Sequence, residues 1–170
     1  MAAPQLLRAK IVMVGSPGVG KTSLVRRFVH SLFSDEYHST LGVKVDRKSV
    51  QIGDTTVTML LWDMHGEMEG LDVPTSYLRG ATAALAVFDA SRPLTLSKAA
   101  ELRNRLLESS PNAIAHVVAN KSDLDVDWSK IEELSKEHGV DDITRMSAKL
   151  DEGVEEKFAE IASQIANSNG

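Results

Sequence analysis

The sequence predicts an α/β fold: a doubly wound, mostly parallel sheet of six strands, with one antiparallel edge strand and about five helices. Three observations lead there. Short apolar runs, of the kind buried on both faces of a sheet, alternate along the chain with stretches of helical period. One hairpin breaks the alternation, where the mostly polar Val43–Ile52 turns at Gly53-Asp54 into the alternating Val57, Met59 and Leu61. The first apolar run also leads through Gly15-Ser-Pro-Gly-Val-Gly-Lys-Thr22 straight into a helical pattern.

In order, Ala9–Val14 reads as a strand covered on both faces, and Lys21–His30 as a helix with Leu24, Val25 and Phe28 on one side. Residues Ser31–Gly42 have no clean period, and neither does Met64–Thr75, which follows the strand ending at Trp62-Asp63. Ala83–Phe88 and Ala113–Ala119 are two more buried strands, separated by a helix over Leu96–Ser109 with Ala99, Leu102 and Leu106 on one face. A short helix is expected at Ser129–His138 with Ser129 as its cap, then a strand at Ile143–Met146. Val154, Phe158, Ile161 and Ile165 stripe a final helix, after which Asn167–Gly170 is expected to fray. His116 lies in an apolar strand and reads as a satisfied structural histidine rather than a ligand.

The length of 170 residues and a hydrophobic content of 42% suit one domain over residues 1–170. With 19 Lys+Arg against 24 Asp+Glu, a formal charge of −5 and no basic block, binding to a nucleic-acid backbone is disfavoured. The chain has no cysteine, which excludes disulfides, thiolate metal sites and lipid attachment at cysteine. Ala2 replaces the glycine that myristoylation needs, and no run reaches the length of a bilayer span. The expectation is a cytoplasmic monomer with no direct anchor in this chain, peripheral to membranes only through partners.

Past each parallel strand's end stands something chemically useful. In the pattern G-x-x-x-x-G-K-[ST], glycines let the stretch of Pro17, Gly18, Val19, Gly20, Lys21, Thr22 and Ser23 curl around a polyphosphate at a helix N-terminus, with successive backbone N–H groups after the proline turned toward it. Lys21 supplies a point charge to the outer phosphates, and the Thr22 hydroxyl is a hard oxygen suited to Mg²⁺. Asp63 offers a carboxylate for the same ion, directly or through water, and Gly66 can bring a backbone N–H to a terminal phosphate. In Asn120-Lys-Ser-Asp123, the Asp123 carboxylate only accepts hydrogen bonds, which suits guanine's adjacent N1–H and 2-amino donors and not adenine's N1 acceptor. Asn120 is suited to guanine N7, the Lys121 stem to the ring plane, and backbone N–H groups near Ser147 and Ala148 to O6. Taken singly, N-K-x-D also describes an Asx turn and Ser147-Ala-Lys149 an ordinary approach to a helix. Their joint occurrence in order carries the reading.

These segments together resemble the Ras superfamily of small GTPases, P-loop NTPases of the small G-protein fold, nearest to the Rab branch, over Lys10 to Ala166. The residues that carry the resemblance are Gly15–Thr22, Thr40 in Tyr-His-Ser-Thr-Leu-Gly-Val43, Trp62-Asp-Met-His-Gly66, Tyr77-Leu-Arg-Gly-Ala81, Asn120–Asp123 and Ser147–Lys149. The resemblance implies a GTP/GDP molecular switch with slow Mg²⁺-dependent GTP hydrolysis, acting in membrane traffic or signalling. It implies that Phe33 packs beside the guanine, that Tyr37 joins the nucleotide-binding set, and that Lys21 meets the β- and γ-phosphates. Thr22, Thr40 and Asp63 form its implied metal set, with Thr40 engaged only by GTP. Effectors, exchange factors and GTPase-activating proteins would then read the switch segments Ser34–Gly42 and Met64–Thr75.

The chain departs from that family at three places. Glu67 stands where Rab-like proteins carry the water-orienting Gln, so Glu67 with Lys21 and Gly66 makes up the expected catalytic group. An ionised Glu accepts from water but cannot donate to phosphate. His65 replaces the usual Ala, and reads as an exposed loop histidine without a catalytic role. Pro17 occupies a position that is Gly or Ser in most relatives, where its ring crowds the path of an activating protein's arginine. These departures keep open an alternative, a catalytically silent GTP-binding scaffold. A nucleoside kinase fits less well, because no arginine-rich lid is present.

Overall fold

The computed structural model describes residues 3–31, 43–64 and 73–169. Its elements run β1 (Gln5–Val14), α1 (Lys21–His30), β2 (Val43–Ile52), β3 (Thr55–Met64), α2 (Thr75–Leu78), β4 (Ala83–Asp89), α3 (Thr95–Ser109), β5 (Ile114–Asn120), α4 (Trp128–Glu137), β6 (Ile143–Arg145) and α5 (Val154–Ser168). The six strands form one sheet in the order β2-β3-β1-β4-β5-β6. β2 runs antiparallel to β3 at one edge, and every other neighbour is parallel.

Alternation along the strands divides the core between the two faces. Ile11 and Met13 of β1 and Leu85 and Val87 of β4 join Leu24, Val25 and Phe28 of α1 and Phe158 and Ile161 of α5. The intervening Val12, Val14, Ala84, Ala86 and Phe88 face Leu96, Ala99, Leu102 and Leu106 of α3 and Ile131 of α4. Since helices cover both faces there, Ile11–Val14 of β1 and Ala83–Phe88 of β4 need apolar side chains at every position, which is why they read as unbroken runs. Phe28 and Phe158 stack with ring centroids 4.0 Å apart and planes 7° from parallel, fastening α1 to α5.

Several boundaries differ from expectation. β1 begins at Gln5, four residues before Ala9, because Gln5–Arg8 pair with Thr55–Thr58 of β3, and that ladder needs no apolar side chains. α4 is capped by Asp127 rather than Ser129: the Asp127 carboxylate accepts from the Lys130 N–H at 3.0 Å. Trp128 thereby enters the helix, with the Arg145 guanidinium 3.8 Å over its ring. α5 continues to Ser168 instead of fraying at Asn167, and the Ile165 carbonyl there accepts from Ser168 Oγ and Asn169 Nδ2. The helix α2 lies partly in the stretch read as irregular.

The topology fixes where a ligand belongs. β1 has β3 on one side and β4 on the other, the chain crossing past it between those two strands, so the strand order reverses at the carboxyl end of β1. Gly15 begins the loop at that point, and Asp63, Asp89 and Asn120 stand at the ends of β3, β4 and β5.

Candidate functional site

The loop from Gly15 to Gly20 wraps around the Lys21 side chain. Lys21 is 6% exposed, and its ammonium donates to the carbonyl oxygens of Gly15 (2.9 Å) and Ser16 (3.0 Å). Burial lowers its pKa to about 8, with the charge of Asp63 pulling the other way. Gly15 and Gly20 are required by close approach as well as by angle. Gly15 has φ 146°, and a Cβ there would strike the Val87 carbonyl of β4. Gly20 has φ 103°, and a Cβ there would occupy the place of the Asn120 side-chain amide. Pro17 lies exposed on the crown of the loop, and Val19 turns its side chain into the core.

Beside the loop, Thr22 Oγ1 donates to Asp63 Oδ2 at 2.6 Å. Asp63 is 1% exposed, and its Oδ1 is buried with no partner among the described residues. Burial raises the pKa of this carboxyl, against the opposing pulls of the Thr22 hydroxyl and Lys21. An orphaned buried carboxylate oxygen next to a hydroxyl makes a hard-oxygen pair whose chemistry fits Mg²⁺.

The segment after β5 is bound into the phosphate loop. Asn120 Nδ2 donates to the Val19 carbonyl at 3.0 Å, while its Oδ1 accepts from the Ala148 N–H at 3.2 Å. Lys121 adopts a left-handed backbone, φ 64°, which costs a residue bearing a Cβ about 1–2 kcal/mol. That turn carries its ammonium to the Gly18 carbonyl at 2.8 Å and to Asp89 Oδ2 at 2.9 Å. Asp123 Oδ1 accepts from Ser147 Oγ at 2.7 Å, and Ser147 Oγ accepts from the Leu150 N–H at 3.0 Å. Lys149 is exposed at the edge of this loop.

The structure thus brings together Lys21, Thr22, Asp63, Asn120, Lys121, Asp123, Ser147 and Ala148. Phe33, Tyr37, Thr40, His65, Gly66 and Glu67 lie outside the described residues. Asn120 is used first within the protein, as a bridge between two loops, a role the sequence reading did not foresee. His116 is satisfied, with Nε2 2.9 Å from Gln164 Oε1 and Nδ1 3.5 Å from Lys157 Nζ.

Sequence reasoning missed two residues. Asp89, 2% exposed, accepts from Ser91 N and Oγ, from Arg92 and from Lys121. Burial alone would raise its pKa, but these donors outweigh burial and hold it low. Its signal was available, because Asp89 is the first polar residue after an apolar run, as Asp63 and Asn120 are. Arg27 of α1 donates to the carbonyls of Ala148 and Lys149, and nothing in its helical pattern singles it out.

A family model described as "Ras family" matches residues 10–167. The chain belongs to the Ras family. Among curated proteins, it is 34% identical to human Ras-related protein Rab-4B, over 93% of this chain and 76% of that protein. It is 32% identical to Ras-related protein Rab-5A of Dictyostelium discoideum, covering 95% and 82%. It is also 31% identical to Ras-related protein Rab-7a of Paramecium octaurelia, covering 98% and 85%. This Ras-family chain is a Rab-like small GTPase, a GTP-binding switch on the P-loop small G-protein fold. Ras and Rab GTPases generally use Mg²⁺ with GTP and work through regulators and effectors. No helix among the described residues is long and apolar enough to cross a membrane.

Proposed function

We propose that residues 1–170 act as one monomeric G domain in which Asp123, Asn120 and the Ser147–Lys149 loop select guanine, while Gly15–Ser23 and Lys21 hold the phosphates. The observation that carries this reading is the direct bonding of the two halves: Asn120 to Val19 and Lys121 to Gly18. A ligand filling both halves must present a base and a polyphosphate in one molecule. Asp123 is held by Ser147 through Oδ1, which favours presenting the rest of its carboxylate to the paired donors of guanine.

Thr22 and Asp63 would hold Mg²⁺, joined by Thr40 with GTP, and the unpartnered Asp63 Oδ1 supports that role. Once bound there, the ion supplies positive charge against the phosphate oxygens. Lys21 adds its charge at the β- and γ-phosphates. Glu67 accepts a hydrogen bond from the attacking water, Gly66 donates its N–H to the γ-phosphate, and hydrolysis is slow because ionised Glu67 cannot donate. Phe33 and Tyr37 flank the nucleotide. Effectors, exchange factors and activating proteins read Ser34–Gly42 and Met64–Thr75, and the protein works in the cytoplasm, meeting membranes through those partners.

Competition against a fluorescent GDP analogue in Mg²⁺ buffer tests the base assignment. GTP and GDP should displace it, and ATP should fail at a hundredfold higher concentration. Equal competition by ATP would refute guanine selection by Asp123.

A further inference from the structure

We infer that Asp89 is a positioning residue for nucleotide retention: its carboxylate fixes the Lys121 ammonium beside the Gly18 carbonyl, and so fastens the base half of the site to the phosphate half. This rests on the reading above that one nucleotide fills both halves. Asp89 ends β4 and pairs with Asn120 of β5 across the parallel ladder, where the Ala90 N–H donates to the Asn120 carbonyl at 2.9 Å. Lys121 follows Asn120 directly, and its ammonium donates to Asp89 Oδ2 at 2.9 Å and to the Gly18 carbonyl at 2.8 Å.

A lysine head is hard to hold in place. Its stem is flexible and its ammonium is a point charge with rotatable donors, so one bond to a neutral carbonyl competes poorly with the freedom lost in making it. A carboxylate changes the balance, because a charge-assisted bond is about twice as strong as a neutral one. Asp89 can serve as that anchor because it is itself held. Its Oδ1 accepts from the Ser91 N–H at 2.9 Å and the Ser91 hydroxyl at 2.6 Å, and its Oδ2 from Arg92 Nε at 3.0 Å. With the carboxylate fixed by these donors and its backbone fixed by the sheet, Oδ2 offers the ammonium one place.

Lys121 is then tied at both ends. Its left-handed backbone, φ 64°, sets the start of the stem, and Asp89 with Gly18 sets the finish. A stem held this way is already ordered before the base arrives, so the nucleotide need not order it on binding. Freeing the ammonium would loosen the stem and the crown of the phosphate loop together, and a ligand gripped by both halves would leave faster.

Release of a fluorescent GDP analogue into excess unlabelled GDP, followed in Mg²⁺ buffer, tests this. Asp89→Asn should speed release about tenfold, the scale of a hydrogen bond to a charged group. Lys121→Ala should speed it at least as much, because it removes the bond to Gly18 as well. Added to Lys121→Ala, Asp89→Asn should change release by less than about twofold, since the carboxylate then has no ammonium to hold. An Asp89 that acted only on the fold, through Ser91 and Arg92, would multiply its factor with that of Lys121→Ala. That result, or no acceleration by Asp89→Asn, overturns the inference. If Lys121→Ala itself leaves release unchanged, the reading of one nucleotide across both halves has failed, and the role of Asp89 with it. Acceleration by Lys121→Ala but not by Asp89→Asn would leave that reading standing and sink only the role of Asp89. Should melting curves show Asp89→Asn unfolded, Asp89→Glu replaces it. It keeps the charge but displaces the carboxylate by a methylene, and should speed release about threefold alone and not at all beside Lys121→Ala, whereas equal factors in both backgrounds would count against the proposal.

Discussion

The two ends of the site differ in how complete the protein alone leaves them. At the base end, Asn120 is bonded at both amide atoms, Lys121 reaches both Gly18 and Asp89, and Ser147 accepts one bond and donates another. At the phosphate end, Asp63 keeps a buried oxygen without a partner among the described residues. Burial there pushes Asp63 and Lys21 toward their neutral forms. One end is organised by the fold, and on the proposed reading the other is completed by its ligand. That division suits a switch, because a structure that changes with the γ-phosphate must leave the phosphate end dependent on what is bound, while a rigid base end keeps the nucleotide in place through the change.

The largest expected effect tests the base end, which the fold alone completes. Asp123→Asn exchanges an acceptor-only group for one that also donates, so preference should pass from guanine to xanthine, whose 2-carbonyl accepts where guanine donates. A swing of roughly a thousandfold or more in the ratio of the two affinities is expected, from the rejection factors of sites that leave a polar group unpaired. Competition titrations with GDP and xanthosine diphosphate measure it, and an unchanged ratio would show that Asp123 faces something other than the base. The unfinished end comes next. Lys21→Ala should weaken GDP and GTP by roughly a hundredfold, about 2.7 kcal/mol, the scale of a hydrogen bond to a charged group. Calorimetry showing near-normal binding would mean that the loop's backbone suffices without the ammonium.

Asp89 sharpens the comparison without any nucleotide. Its carboxylate receives Ser91, Arg92 and Lys121, so Asp89→Asn should lower folding stability by about 2 kcal/mol at neutral pH. Because the native pKa lies below the ordinary value of 3.8, the ionised form is favoured by folding. Its contribution is therefore complete above that value and disappears as pH falls through the lowered native one. Urea unfolding across that range should show the two proteins converging in acid. A constant gap down to the lowest pH would mean that the loss comes from packing and not from charge.

Much of this was legible in the chain. Buried strands announced themselves because two covered faces demand apolar side chains at almost every position, as in Ala83–Phe88. The strand-end motifs were legible because Gly20, Thr22, Asp63, Asn120 and Asp123 each meet a demand that few residue types satisfy. The start of β1, Gln5-Leu-Leu-Arg8, was not, since its two leucines give no alternation and pairing with β3 asks only for backbone groups. Nor was Arg27, which acts through contacts 121 and 122 residues away and looks locally like any solvated helix cation. Asp127 and Ser129 were both good caps by type, and the structure uses Asp127, which brings the half-buried Trp128 into the helix beneath Arg145.

The smallest expected effect probes the chemistry that the unfinished end must support. On the proposed reading Glu67 takes the place of the family's water-orienting Gln, where an ionised carboxylate would keep half of that side chain's function: it would accept from the water but could not donate to the γ-phosphate. Glu67→Ala should therefore slow single-turnover GTP hydrolysis by about tenfold, roughly 1.4 kcal/mol of barrier, with GTP affinity nearly unchanged. The split follows because the side chain acts on the nucleophile, which the ground-state complex does not need for binding. If Glu67→Gln then hydrolyses faster than the unmodified protein, the missing donor limits the rate. Equal rates for the Ala variant and the unmodified protein would make Glu67 a bystander, and His65→Ala in the same assay would show whether the neighbouring histidine holds the water instead.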